Sequence, residues 1–400
     1  MIPAAVERRA RWILDTIGAR DAGFGDDVPF RADAWAAVER GERPSGDDLA
    51  EAFFHLARIE ERAGPRDEHG RFTASASCLD PLDPPVEQLR RRLGVAPPTW
   101  FGARFAVALS HDVDVPWRWT PIGIRGAAAR LKADALARRA GGALREARAL
   151  AAVPVHKLRR TDPNWSFESI VQTERRLGAA STFYVLSGNR HPADGAAPEV
   201  YDRLRPRVVD TLKELDAEIG LHPSYLAAKD VSLLAAEKRS LEELAGPLTG
   251  VRFHYLRVDP HGNLRAIRAL GLEHDSTLGF PDAIGFRAGI AQPFRPWDVE
   301  ADSPLDVVEV PLAVMDATLA DDRYLGLSAR EAQRRLMRLL DWAAENGGGF
   351  SILWHPDRFD RWTAAGWDRL YERVIRAVGE RGGVCVSVGA FAAEADAWLA

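Results

Sequence analysis

The sequence predicts an α/β fold, a distorted (β/α) barrel, on three observations. Short apolar runs rich in β-formers begin at Phe105 and recur to the C-terminus. Segments with apolar residues at helical spacing separate them. The runs are apolar at consecutive positions, as strands buried on both faces require. Strand–helix alternation is the signature of a mostly parallel sheet, and seven or eight repeats favour a closed barrel over an open sheet.

The elements follow in order. Residues 1–100 read as a helical N-terminal extension. Val6–Ile17 and Asp48–Arg62 are spaced as helices, with glycine- and proline-containing turns between them, and a short helix over Val86–Leu93 ends at Gly94 before Pro97 and Pro98. Residues 101–400 form the barrel. Its strands are expected at Phe105–Ser110, Ser181–Leu186, Glu218–His222, Val251–Tyr255, Leu272–Asp275, Val307–Pro311, Phe350–His355 and Val384–Val388. Helices are expected at 166–177, 198–215, 231–244, 328–345 and 366–380. A segment rich in Ala and Arg, about 121–160, interrupts the rhythm as one or two amphipathic helices. It is read as a solvated insertion, with a basic wall near the mouth of the site as the alternative.

Composition narrows the class. The 400 residues are 46% hydrophobic and 28% charged, with a net charge of -5, enough for a large core and without the basic stripe of a nucleic-acid partner. Cys78 and Cys385 are too few for a disulfide framework and point to a reducing compartment. No signal peptide and no apolar stretch long enough to span a membrane is visible, so a cytoplasmic location is expected. Nothing in the sequence specifies an oligomeric state.

Functional side chains of a parallel barrel sit at the C-terminal ends of its strands. Here the first strand runs Ala-Leu-Ser-His-Asp-Val-Asp over 108–114. Others end at His222, at His254 shortly after Arg252, at Asp275 and at His355. A hydrolytic zinc ion takes about three His or carboxylate ligands and keeps a position open for water. Two carboxylates as close as Asp112 and Asp114 repel each other unless a cation lies beside them. Singly, each residue has a plainer reading as a cap, a turn or a satisfied rim histidine, and that reading is preferred for His111 and His191.

This constellation resembles the polysaccharide deacetylase superfamily, the nodulation-type deacetylase homology domain, over residues 105–390. Ala108–Asp114 looks like its first motif, Ser181–Val185 like its Ala-Thr-Phe-Phe-Val strand, and Glu218–His222 like the opening of its second motif. Arg252-Phe253-His254-Tyr255 resembles the third motif, Asp275 leads a fourth-motif-like stretch through Gly285–Gly289, and Ile352–His355 resembles the fifth. The resemblance implies Asp112 as general base, Asp114 and His222 as metal ligands, Arg252 holding Asp112, and Asp275 tuning His355 as general acid. It also implies that Leu353 and Trp354 shape an acetyl pocket. Position 113 is Val where the family has a second adjacent acid, so this is a spaced Asp-x-Asp variant. Leu226 stands where the family has its second metal-binding His, and His254, replacing the usual proline, is the candidate for the missing ligand.

The activity implied is metal-dependent removal of acetyl groups from N-acetylated sugars of a polysaccharide or glycan precursor, with zinc as the metal and cobalt or manganese as alternatives. Trp117, Trp119, Tyr225, Tyr255 and Trp297 are candidates to stack on the carbohydrate substrate or to serve as packing. The other readings are an O-deacetylase or ureide-type C–N hydrolase, a silent carbohydrate-binding protein, and a scaffold in polysaccharide synthesis.

Overall fold

A computed structural model of the chain describes residues 2–23, 28–195, 198–360 and 362–400. The N-terminal hundred residues carry α1 (Ala4–Thr16), α2 (Ala32–Glu39), α3 (Asp48–Leu56) and α4 (Pro85–Arg92). Asp47 caps α3 by accepting from the Ala50 N–H at 2.9 Å. Helix α2 falls in a stretch expected to be turns, because its apolar positions Ala34, Trp35 and Val38 span too few turns to show a period. These helices are not a detached appendage. Trp12 and Phe53 pack against Trp297 with ring centroids 4.9 and 5.7 Å away. The buried Glu61 carboxylate is clamped between Arg58 and Arg287 at 2.6 Å each.

The strands are β1 (Ala106–Val113), β2 (Ser181–Leu186), β3 (Glu218–His222), β4 (Gly250–Val251), β5 (His274–Asp275), β6 (Trp297–Asp298), β7 (Ser303–Pro304), β8 (Val308–Glu309), β9 (Leu312–Met315), β10 (Gly349–Leu353) and β11 (Val384–Ser387). Nine of them form one parallel sheet in the order β8-β5-β4-β3-β2-β1-β10-β9, with β11 on β1, while β6 and β7 make a separate antiparallel ribbon. Strands β8 and β9 are two stretches of one extended run, broken at Val310-Pro311. One end pairs with β5 and the other with β10, so the sheet curls back on itself as a distorted (β/α) barrel. Pro311 cannot donate to a ladder, which explains the break. The expected strand at Val307–Pro311 is therefore the first half of a longer closing segment. Strand β11 pairs with the first half of β1 on the edge that β2 occupies further along.

The connecting helices are α5 (Pro121–Leu136), α6 (Ala140–Arg159), α7 (Phe167–Arg176), α8 (Pro198–Glu214), α9 (Val231–Ala245), α10 (Asn263–Ala269), α11 (Asp316–Ala320), α12 (Ala329–Asn346), α13 (Trp367–Glu380) and α14 (Val388–Leu399). The insertion is a pair, α5 and α6, joined through Trp119, Ala127 and Ala149, with Glu146 turned inward to Arg118 at 3.0 Å. Most of its basic side chains face solvent. Among the described residues no helix is long and apolar enough to cross a membrane.

The strand expected over Val251–Tyr255 ends at Val251. The chain leaves β4 through a tight turn in which Tyr255 and Leu256 adopt left-handed backbone angles, φ 60° and 55°. Non-glycine residues there cost on the order of 1–3 kcal/mol each, and such strain gathers at functional sites.

Candidate active site

β1 is buried along its whole length and delivers Asp112 and Asp114 to the C-terminal rim. β3 delivers His222 to the same rim, and the turn after β4 brings in His254. His222 Nδ1–H donates to the Arg252 carbonyl oxygen at 2.5 Å. His254 Nε2–H donates to the Ala193 carbonyl oxygen at 3.1 Å. A carbonyl only accepts, so in the neutral ring, the form that binds a metal, each bond fixes the tautomer and turns the other nitrogen's lone pair to the site. Those two nitrogens, His222 Nε2 and His254 Nδ1, face each other at 3.0 Å. Asp114 Oδ1 lies 3.1 Å from the first and 3.4 Å from the second. It is buried and has no hydrogen-bond donor among the described residues.

Three acceptors thus converge on one point, an arrangement that needs either a proton or a cation between them. Ligands about 2.0–2.1 Å from a tetrahedral zinc ion stand about 3.3 Å apart, and the observed separations fit that edge. The Asp114, His222 and His254 donor set is therefore suited to a divalent ion. With protons alone, burial opposes charge, yet Asp114 lifts the His254 pKa above its ordinary value and the two histidines hold the Asp114 carboxyl well below its own.

Asp112 lies beside this cluster, its Oδ2 3.6 Å from His222 Nε2. Its Oδ1 is 3.4 Å from Arg252 Nη1. Arg252 is fully buried and held on several sides. Nε donates to the Ser276 carbonyl at 2.8 Å, Nη2 to Ser276 Oγ at 2.8 Å and Nη1 to Ser110 Oγ at 2.5 Å. Its guanidinium also lies over the Tyr184 ring, 4.7 Å from the centroid. Gly220 makes room for that ring, because a Cβ there would meet it at 2.5 Å.

Across the site His355 follows β10. Its Nε2 is 3.7 Å from Asp114 Oδ2. Its Nδ1 contacts Asp316 Oδ1 at 2.6 Å, and Arg358 Nε holds the other Asp316 oxygen at 2.8 Å. Burial pulls the His355 pKa down, but Asp316 outweighs it and raises it to about 10. The imidazole therefore carries a proton at neutral pH. Asp316 itself, despite burial, is lowered to about 2 by His355 and Arg358.

Asp275 does not take part, contrary to the expected pairing with His355. Its carboxylate accepts from Thr277 Oγ1 at 2.6 Å, and it pairs with the Glu309 carboxyl of the adjoining β8. The chain reaches His355 from the end of β9 instead, through Asp316, a residue that no strand-end pattern had marked. Arg287, in the fourth-motif-like stretch, binds Glu61 and serves packing. Trp119 and Trp297 are also buried, Tyr225 stacks on His191 at 4.3 Å, and Trp117 lies near Trp165, leaving Tyr255 as the candidate aromatic that lines the pocket. His111 is a satisfied core histidine, bonded to the Trp354 carbonyl and Glu174 at 2.6 and 2.9 Å. Leu226 is exposed at the surface.

A pocket of about 200 Å³ opens over Asp112, Asp114, His254 and His355. Leu256 and Met315, which pack with Leu353, form its apolar side, and Arg71, Arg323 and Tyr324 form its outer wall. A smaller recess of about 140 Å³ lies beyond the same two aspartates, against Asn164 and Asp357.

No family model matches the chain, and no curated protein matches it in sequence. Among solved structures it is similar to one described as a probable polysaccharide deacetylase from Pseudomonas aeruginosa PAO1, with a TM-score of 0.49 and 15% identity over 74% of this chain and 94% of that one. It is also similar to the PuuE allantoinase, with a TM-score of 0.48 and 15% identity over 76% and 95%.

Proposed function

We propose that this protein is a metal-dependent hydrolase of carbon–nitrogen bonds that removes the acetyl group from an N-acetylated sugar of a polysaccharide or glycan precursor. The observation that carries this reading is the convergence of two imidazole nitrogens and an orphaned carboxylate oxygen beside a second carboxylate, Asp112. Asp114, His222 and His254 hold the ion, with zinc favoured by the mixed nitrogen and oxygen donors and cobalt or manganese as substitutes. When bound, the ion polarises the scissile carbonyl and lowers the pKa of water.

The remaining steps belong to the side chains. Asp112, aimed by Arg252, takes the proton of the attacking water. His355, protonated and fixed by Asp316, gives its proton to the departing nitrogen. Leu256 and Met315, backed by Leu353, supply an apolar surface for a methyl group. The site is small beside ordinary ligand pockets of about 300–1,000 Å³, so it accepts one ring at a time.

A second reading has its own observation. Arg71 and Arg323 in the outer wall suit a small anionic amide or ureide. Acetate release from chito-oligosaccharides, peptidoglycan fragments and acetylated exopolysaccharide tests the first reading. Ring-opening or carbamoyl hydrolysis without acetate release supports the second. Absence of both, with no gain on adding Zn²⁺, Co²⁺ or Mn²⁺, contradicts an enzyme.

A further inference from the structure

Another group of ligating side chains lies in the N-terminal region, apart from the barrel rim. His55 lies in the last turn of α3, Glu60 follows in the next turn, and Cys78 comes from the loop before α4. One atom from each lies within 4.8 Å of the other two. His55 Nδ1 is 3.4 Å from Glu60 Oε1, and Cys78 Sγ is 3.4 Å from Glu60 Oε2. The two contacts run to different oxygens of that carboxylate. A tetrahedral ion with nitrogen and oxygen at about 2.0–2.2 Å and sulfur at about 2.3 Å separates its ligands by roughly 3.3–3.6 Å, so binding would draw the three ligand atoms together from within 4.8 Å.

An independent observation points to a ligand. His55 is wholly buried, its Nε2 has no hydrogen-bond partner among the described residues, and its Nδ1 meets the Glu60 carboxylate at a long 3.4 Å. Buried polar groups are otherwise nearly always paired, so this imidazole asks for a partner. Arg58 reaches Glu60 at 3.2 Å and shares the Glu61 carboxylate with Arg287, at 2.6 Å each. A thiolate sulfur and a carboxylate oxygen would bring two anionic ligands to the ion. Ser77 Oγ at 2.9 Å and the Cys78 N–H at 3.2 Å orient the carboxylate. A cavity of about 400 Å³, lined by His55, Cys78, Asp80 and the ion pairs Arg43–Glu51 and Arg92–Asp48, gives access to water for a fourth position.

We propose that His55, Glu60 and Cys78 form a second metal site, selective for a borderline-soft divalent ion of the zinc class, which fastens the Cys78 loop to α3. The Cys78 thiol loses its proton to solvent as its sulfur binds. That loop in turn grips the barrel, because the Ala74 N–H donates to Asp282 at 2.8 Å and the Phe286 N–H donates to the Pro81 carbonyl at 2.8 Å. The site is therefore a staple between the two regions.

Cobalt loading of the full-length protein, stripped by chelation, tests the site. The rim donors Asp114, His222 and His254 include no sulfur, so only the second site yields a thiolate-to-cobalt charge-transfer band in the near ultraviolet. The expected result is two cobalt equivalents per chain with that band. Cys78→Ser drops the count to one and removes the band, whereas His254→Ala also drops it to one but keeps the band. A wild-type protein without the band, or a Cys78→Ser protein that retains it, overturns the proposal. Loss of the rim metal alone leaves the band intact and counts only against the proposed activity.

Discussion

His355 and Asp316 are joined by a 2.6 Å contact between Nδ1 and Oδ1, which turns the imidazole Nε2 toward Asp114. Asp316 fixes both the orientation and the charge of His355. His355→Ala is expected to lower kcat by roughly 10²–10⁴-fold, the range for a lost general acid, with metal content unchanged. Asp316→Asn is expected to lower kcat by roughly tenfold or more. An Asp316→Asn enzyme with full activity removes the pair from the mechanism.

Asp112 is not among the three converging donors, although it stands next to them. Asp112→Asn keeps the shape and removes the base. Turnover is expected to vanish while metal analysis reads the wild-type stoichiometry. If metal is lost instead, the two aspartates have exchanged roles.

The buried pair Asp275–Glu309 makes a prediction about stability. Burial, and then the neighbouring Asp275 carboxylate, raise the Glu309 pKa well above 4.5. The folded state therefore holds a proton that the unfolded chain releases above about 4.5. Stability from this group is full below that pH and falls as pH rises toward the folded pKa. Glu309→Gln offers an amide N–H to Asp275 in place of the carboxyl O–H and cannot ionise. Thermal melts from pH 5 upward are expected to show a downward slope in the wild type and a flatter one in Glu309→Gln. Equal slopes contradict a shared proton.

Much of this architecture is legible in the sequence because β1 opens on an apolar run, β2 is rich in β-formers, and β1 and β3 lead directly into Asp112, Asp114 and His222. Ser181–Leu186 and Glu218–His222 are strands at the expected bounds. The rest depends on contacts that periodicity does not encode. β4, β5 and β8 are two residues long, held by their neighbours rather than by propensity. Asp275 looked like a rim acid because it ends a strand, but its side chain is committed to Thr277 and Glu309. Asp316 carried no signal, since the run leading to it is split by Pro311 and the helix after it has only five residues. The role of His254 was visible only as an oddity, an imidazole where the resemblance has a proline. Its direction comes from the left-handed turn at Tyr255 and Leu256, which nothing in the local sequence requires.

The three rim ligands should act as a unit. His222→Ala and His254→Ala are each expected to weaken metal binding by roughly 10–100-fold or more and to abolish turnover. His254→Gln, which presents only an amide oxygen, should rescue neither. Normal affinity in His254→Ala would mean that the ion takes its third ligand elsewhere.

The most direct test is anomalous diffraction at the zinc edge from crystals of the zinc-loaded protein. The account predicts a peak among Asp114 Oδ1, His222 Nε2 and His254 Nδ1, about 2.0–2.2 Å from each. A zinc-loaded crystal with no peak at that point, or with His254 turned out of the coordination sphere, contradicts it.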